Sequence, residues 1–337
     1  MQLLTLDFNL MYERPYHHQD LSKLNILVTG GAGFIGSNLV EYLLKYKVGK
    51  VRVLDDFSNG HRENLLPFEP HPAFELMEGD IRDLETCKRA MVGMDYVSHQ
   101  AALGSVPRSI QDPATTNAVN ISGFLNMMIA LKESQSVKRM VYAASSSTYG
   151  DSQVLPKVED NIGKPLSPYA VTKYVNELYA DVFGTTYGTD VIGLRYFNIF
   201  GPRQSPNGAY AAVIPLFIQA LKDGIPPKIN GDGEQTRDFT FVANAVQANI
   251  KGLFASEAAK NQVFNIACGE RISINNLWAF LSDAAQKNLS PIYGPSRQGD
   301  VRDSLADISK AKTLLGYAPG FTVREGLRIS WLVRSEL

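Results

Sequence analysis

Apolar residues along this chain gather into short runs, separated by stretches of helical spacing. Leu24-Asn25-Ile26-Leu27-Val28-Thr29 has buried-strand character and ends at a glycine-rich turn, Gly30-Gly31-Ala32-Gly33-Phe34-Ile35-Gly36. Leu39, Val40, Leu43 and Leu44 then recur on one helical face, and Val51-Arg52-Val53-Leu54-Asp55 makes a second strand. Strand, helix and strand within about 30 residues form the unit that binds dinucleotides. Further strands are predicted at Phe74 to Met77, Tyr96 to His99, Met140 to Ala144 and Val191 to Tyr196. Helical patterns cover Pro113 to Glu133 and Ser167 to Phe183. This alternation predicts an α/β fold of Rossmann type, a doubly wound parallel sheet with helices on both faces.

Beyond Phe197 the texture becomes turn-rich, with Gly201-Pro202, Pro206-Asn207-Gly208, Pro226-Pro227 and Gly231-Asp232-Gly233. A smaller mixed α/β domain built to line a site is expected there. Val263-Phe264-Asn265-Ile266-Ala267 is expected to return to the main sheet as a late strand. The division predicted is an N-terminal extension over 1–22 and a nucleotide-binding domain over 23–198, with a late return around 239–268. A substrate-binding domain takes up most of 199–337. The lead segment Met1 to Asp20 is broken by Asp7, Glu13 and Arg14, so it reads as a short surface helix or arm and not as a secretory signal.

Bulk properties narrow the function classes. The 337 residues, 45% hydrophobic and 20% charged, fit an ordinary globular protein. A net charge of -1 gives no electrostatic case for a nucleic-acid or membrane partner. No apolar stretch reaches the roughly 18 residues that span a bilayer. Two cysteines, Cys87 and Cys268, make no disulfide framework, and no His/Cys cluster has metal-ligand spacing. Reduced thiols and a cytoplasmic location are the expectation.

The glycine turn carries the first chemistry. Gly30, Gly33 and Gly36 permit a tight turn, close approach to a pyrophosphate, and close packing of helix on strand. The helix start then offers free N–H groups and a positive dipole end to phosphate. Asp55 ends the second strand 19 residues after Gly36. Its carboxylate suits two ribose hydroxyls and repels a 2′-phosphate, so NAD is expected over NADP; Arg62 is the nearby cation able to answer a phosphate. Gly79-Asp80-Ile81-Arg82, after the third strand, is placed to meet an adenine edge.

The second piece of chemistry lies downstream. Ser167 and Pro168 read as N-cap and first residue of a helix, which puts Tyr169 and Lys173 one turn apart on one face. A phenol with pKa near 10 is a poor base at neutral pH. A neighbouring ammonium and a positive nicotinamide ring both favour the phenolate and bring it into working range. Ser145-Ser146-Ser147 ends a strand, where ligands gather in open α/β sheets, and supplies a hydroxyl for the reacting oxygen.

Together these residues resemble the extended short-chain dehydrogenase/reductases, and within them the UDP-hexose 4-epimerases. The resemblance covers nearly the whole chain from Leu24 onward. It rests on Thr29 to Gly36, Asp55-Asp56-Phe57-Ser58-Asn59, His99-Gln100-Ala101-Ala102, Ser145 to Gly150, Tyr169 to Lys173, Arg195-Tyr196-Phe197-Asn198, Arg237-Asp238-Phe239 and Arg297-Gln298-Gly299-Asp300. The stretch from His99 to Ser109 resembles the subgroup acting on UDP-N-acetylhexosamines or their uronic acids.

The resemblance implies Ser145, Tyr169 and Lys173 as catalytic residues. It implies NAD contacts from Gly30, Gly33, Phe34, Ile35, Gly36, Asp55, Ser58, Asn59, Asp80, Ile81, Gln100, Ala101, Ala102, Asn117 and Tyr196, beside Tyr169 and Lys173. For the UDP-sugar it implies Gly104, Ser105, Ser145, Ser146, Ser147, Tyr169, Asn198, Ala212, Val213, Arg237, Arg297, Asp300 and Ser304. It further implies a homodimer through a four-helix bundle, built on helices carrying Phe124, Leu125, Met128, Leu178, Tyr179 and Val182. The reaction expected is oxidation at carbon 4 to a keto sugar, rotation of that sugar, and return of hydride to its other face. A nucleotide-sugar dehydratase or decarboxylase, and a non-catalytic NAD-binding regulator, remain the alternatives. The stretch Ser145-Ser146-Ser147-Thr148 holds no carboxylate of the kind dehydratases use, which favours epimerisation.

Overall fold

The computed structural model describes residues 11–206, 212–295 and 302–335. Its centre is a sheet of seven parallel strands: β1 (Asn25–Thr29), β2 (Lys50–Asp55), β3 (Phe74–Glu78), β4 (Tyr96–His99), β5 (Arg139–Ser145), β6 (Val191–Tyr196) and β7 (Gln262–Ile266). Their spatial order is β7-β6-β5-β4-β1-β2-β3. The order reverses at β1, which pairs with β2 on one side and β4 on the other. Such a reversal opens a crevice beyond the carboxyl ends of the strands, and that is where ligands bind in open α/β sheets. The late run lies in the sheet as β7, in parallel register with β6.

Both faces of the sheet are covered. On one face the helix Phe34–Lys45 packs against the helix Val242–Leu253, in the larger of two cores. The other face carries Leu84–Met91, Phe124–Glu133 and Pro168–Tyr187 over Leu27, Leu54, Val97, Met140 and Tyr142. Strands covered on both sides explain the near-continuous apolar runs in the sequence. The predicted helix from Pro113 to Glu133 is interrupted: Pro113–Asn117 and Phe124–Glu133 flank a π turn at Ala118–Gly123. The C-terminal part combines the helices Val213–Asp223, Ile274–Ala285, Ser309–Leu315 and Val323–Ser335 with small paired strands, Thr236–Arg237 against Ile272–Ser273 and Lys228–Asn230 against Ile292–Gly294.

Two expectations are revised. The described part of the lead segment is no surface arm, because Met11 and Tyr12 are buried. Tyr16 stacks on Tyr42 at 5.1 Å and Tyr12 meets the same ring edge-on at 5.4 Å, so the segment is fastened to the glycine-turn helix by tyrosines. Phe124 and Met128 belong to the sheet core, at 1% and 0% exposure, whereas Leu178 and Val182 stand about half exposed. The apolar surplus that faces outward is therefore on the Tyr169 helix. Among the described residues, no helix is long and apolar enough to cross a membrane.

Candidate active site

At the end of β1 the glycine turn folds tightly under backbone constraint. Gly30 has φ +67°, and a Cβ there would lie 2.6 Å from the Ala101 nitrogen on the β4 side of the crevice. A Cβ on Gly36 would collide with the Gly30 carbonyl, so only glycine lets helix and turn approach. Asp55, at the end of β2, is 6% exposed, and its carboxylate accepts the Ala32 N–H at 2.8 Å and the Phe57 N–H at 2.9 Å. Burial raises its pKa, and those two amides work against the rise. Arg62 is committed elsewhere: it pairs with Glu78 at 3.0 Å and lies over the Phe57 ring. The acid that suits a ribose is thus in place, and the cation that would favour a 2′-phosphate is engaged.

Gly30, Gly33, Asp55, Ser58, Asn59, Asp80, Ile81, Gln100, Ala101 and Ala102 line one cleft, joined by Gly60, Leu103 and Val119. Phe34 and Ile35 open the adjoining helix, whose N-cap is Gly33. This set fits NAD in the structure itself, since added side-chain bulk at the turn would fill the cradle. Deeper in, Tyr196 donates its hydroxyl to Gln100 at 3.1 Å, and Asn249 donates to the Tyr196 oxygen at 2.7 Å. Asn249 lies in the helix Val242–Leu253 beside other polar residues, Asn244 and Gln247, so nothing local marks it out in the sequence.

The residues expected to be catalytic lie at the end of β5, for Ser145, and in the first turns of the helix Pro168–Tyr187, for Tyr169 and Lys173. Ser167 caps the helix by accepting the Ala170 N–H at 3.1 Å, with Pro168 at its first position. Ser109, fully buried, accepts the Tyr169 N–H at 3.0 Å and fixes that first turn from the side. Ser145 stands close enough to the Tyr169 phenol to lower its pKa. Lys173, 4% exposed, donates to the Ala143 carbonyl at 2.7 Å.

The electrostatics differ from expectation. Burial raises the Tyr169 pKa and the Ser145 hydrogen bond opposes that rise. Burial also pushes Lys173 down to about 8, with Glu177 opposing. Inside the protein alone, the phenol is therefore not lowered by its lysine neighbour, whose ammonium is turned to a backbone carbonyl. His99 is held neutral, pushed down to about 3 by burial and then by the Lys173 charge, and it meets the Thr29 hydroxyl at 2.7 Å.

Asn117 is exposed on its helix and is not among the residues that line the cleft. The buried asparagine is Asn120, which donates to the Leu103 carbonyl at 3.1 Å and to the Thr172 hydroxyl at 3.1 Å. Thr116, Asn120 and Gly123 are the buried positions of that stretch, spaced as one helical face.

A second cavity, of about 520 Å³, opens beside Ser145. Ser146, Ser147, Asn198, Arg237 and Ser304 line it as expected; Tyr149 and Phe197 join them from motifs that carry the resemblance, and Lys157 and Asp303 from segments the sequence did not single out. Val106, Pro107, Ile110 and Leu166 give it an apolar rim. Gly104 and Ser105 lie on the connection between Leu103 in the first cleft and Val106 in the second. Ala212 and Val213 stand at the start of the helix Val213–Asp223, outside the lining of this cavity. Arg297 and Asp300 lie outside the described residues.

Comparisons with known proteins agree with this geometry. The profile of the NAD dependent epimerase/dehydratase family matches residues 26–267. A putative UDP-glucose 4-epimerase of Methanocaldococcus jannaschii is 34% identical over 311 residues, 91% of this chain and 98% of that one. A UDP-N-acetylglucosamine 4-epimerase of Methanobrevibacter ruminantium, solved with UDP-N-acetylmuramic acid, superposes with TM-score 0.87 at 39% identity, covering 93% of this chain and 99% of that chain. A UDP-glucuronic acid 4-epimerase of Bacillus cereus, solved with UDP-glucuronic acid and NAD, gives 0.85 at 30% identity, with 93% and 100% coverage. With its glycine cradle, ribose acid and Ser–Tyr–Lys group in place, the chain belongs to the NAD-dependent epimerase/dehydratase family.

Proposed function

We propose that this protein is a UDP-N-acetylhexosamine 4-epimerase, interconverting UDP-GlcNAc and UDP-GalNAc or their uronic acids. One observation carries the choice among reactions. Asp303 is the single carboxylate lining the cavity beside Ser145 among the described residues, and it accepts the Thr236 hydroxyl at 2.5 Å. A dehydratase needs a further acid and base to move a proton and a hydroxyl across the sugar. Here Ser145 and Tyr169 serve the oxygen on carbon 4, and Asp303 is tied to the cavity wall. The small wall residues Ser146, Ser147, Gly150 and Ser304 leave space for a 2-acetamido group to turn.

Tyr169 takes the proton of the 4-hydroxyl and later returns it. Ser145 holds the same oxygen through a hydrogen bond. Lys173 sits one turn from the phenol and would hold the cofactor ribose in exchange for the Ala143 carbonyl, to which its ammonium donates at 2.7 Å. When bound, NAD accepts the hydride from carbon 4 and gives it back. Arg237 offers fork-shaped donors to the diphosphate while the sugar stays loosely held. The complementary experiment is direct: purified protein mixed with UDP-GlcNAc, and separately with its carbon-6 uronic acid, yields an epimer of unchanged mass. Loss of water or carbon dioxide supports the dehydratase or decarboxylase reading and refutes this one.

We infer also that two copies associate through the Tyr169 helix, whose Val171, Leu178, Val182 and Tyr187 are about half exposed. Scattered surface apolars need no partner, but four on one helix are an interface-like concentration. A monomeric mass by light scattering at micromolar concentration would contradict this assignment.

A further inference from the structure

Asp238 follows Arg237 and is wholly buried, at 0% exposure. Among the described residues no cation pairs with its carboxylate. Three backbone amides converge on it instead. The Cys268 N–H donates at 3.0 Å, the Gly269 N–H at 3.1 Å and the Ala306 N–H at 3.2 Å. Its own backbone carbonyl accepts the Asn198 side chain at 2.9 Å. A buried carboxylate is costly unless it is hydrogen-bonded, and simple packing at this point would be met by an apolar residue.

Two of the segments it joins supply walls of the sugar cavity. Asn198 and Arg237 stand on one side. Ser304 stands on another, where its N–H donates to the Thr236 carbonyl at 3.1 Å. The same run is held from outside by Lys157, whose N–H donates to the Leu305 carbonyl at 2.7 Å. Cys268 and Gly269 continue from the end of β7. The Asp238 carboxylate thus adds a buried anchor to the backbone bonds that hold the serine side of the cavity against the arginine side.

We infer that Asp238 is a positioning residue: its carboxylate fixes the run 302–306 against Asn198 and Arg237, so one group governs both the diphosphate grip and the wall beside the turning sugar. This rests on the reading of the cavity as a UDP-sugar site. It predicts that loosening Asp238 weakens binding of the nucleotide, although Asp238 itself touches none of it.

The test uses the NAD-loaded protein with Asp238→Asn, which keeps the shape and turns one acceptor into a donor facing backbone N–H groups. UDP binding by calorimetry should weaken about ten- to a hundredfold. KM for the UDP-sugar should rise by the same factor, while bound NAD per folded chain stays at the wild-type level. Unchanged UDP affinity and KM in folded, NAD-loaded variant would overturn the inference and leave Asp238 as packing. UDP carries no sugar, so a wrong choice of hexosamine leaves this readout intact. Should the variant fail to fold, hydrogen exchange on the wild-type holoprotein decides. The amides of Cys268, Gly269 and Ala306 should exchange as one unit and slow when UDP is added. Independent exchange of Ala306, indifferent to UDP, would refute the coupling.

Discussion

Substituting Gly36 by alanine separates cofactor binding from folding, and the structure gives the size of both effects. The added Cβ would collide with the Gly30 carbonyl oxygen and stand 2.8 Å from both the Gly30 carbon and the Gly31 Cα. Comfortable carbon contacts begin near 3.5 Å, so the shortfall is about 0.7 Å. Every atom involved is backbone, and no side chain can swing away. Overpacking of this kind costs about 1–3 kcal/mol, partly offset by about 1 kcal/mol of helix propensity gained by alanine over glycine. For 337 residues the unfolding entropy is about 0.7 kcal/mol per degree, so the apo-protein should lose no more than about 3 °C in Tm. The turn that must yield is the one that presents amides to the pyrophosphate. A displacement of about 0.7 Å exceeds the roughly 0.5 Å within which a binding geometry stays productive. NAD affinity should fall about ten- to a hundredfold. The assay is NAD content after purification, calorimetric titration of apo-protein with NAD, and Tm without cofactor. Full NAD affinity in Gly36→Ala would refute the assignment of this turn as the cofactor cradle.

Three further outcomes follow from the site. Tyr169→Phe should keep NAD and fold while slowing turnover about a hundredfold to ten-thousandfold; near-normal turnover would place the base elsewhere. Ser304→Tyr should slow N-acetylated UDP-sugars about ten- to a hundredfold and spare UDP-glucose, because the added ring occupies the space in which the acetamido group turns; equal loss on both would remove Ser304 from specificity. Lys173, held at about 8 by burial against an ordinary 10.5, gives up its proton earlier folded than unfolded. Its destabilising contribution is full below about pH 8 and is relieved as pH rises toward 10.5. The Tm difference between Lys173→Met and wild type should therefore shrink over that window; a constant difference contradicts the burial account.

The parts of the fold that follow from periodicity were legible. Parallel strands buried on both faces announce themselves as apolar runs, and β7 was readable for the same reason although 65 residues separate the end of β6 from its start. The Ser167-Pro168 start was readable because capping is local chemistry. What depended on tertiary partners was hidden. Asn117 and Asn120 are equivalent in composition, and only the π turn and the packing against Thr172 decide which one faces inward. Lys157 and Asp303 reach the cavity through a pairing of Lys157 with Ala306 and of Thr236 with Asp303, contacts between segments that no local pattern links. The Lys173 ammonium was expected to act on Tyr169; its bond to the Ala143 carbonyl depends on where β5 ends relative to the helix, which is a matter of packing.

The central claim is that carbon 4 is oxidised and reduced by one hydride that never leaves the site. The most direct measurement is to run the reaction on UDP-GlcNAc in D₂O and examine carbon 4 of the UDP-GalNAc formed. Hydride held on a nicotinamide carbon does not exchange with water, so the epimer should carry no deuterium and keep the mass of its substrate. One deuterium incorporated into the sugar ring per turnover would show that a carbon-bound proton was removed to solvent, and would contradict the account.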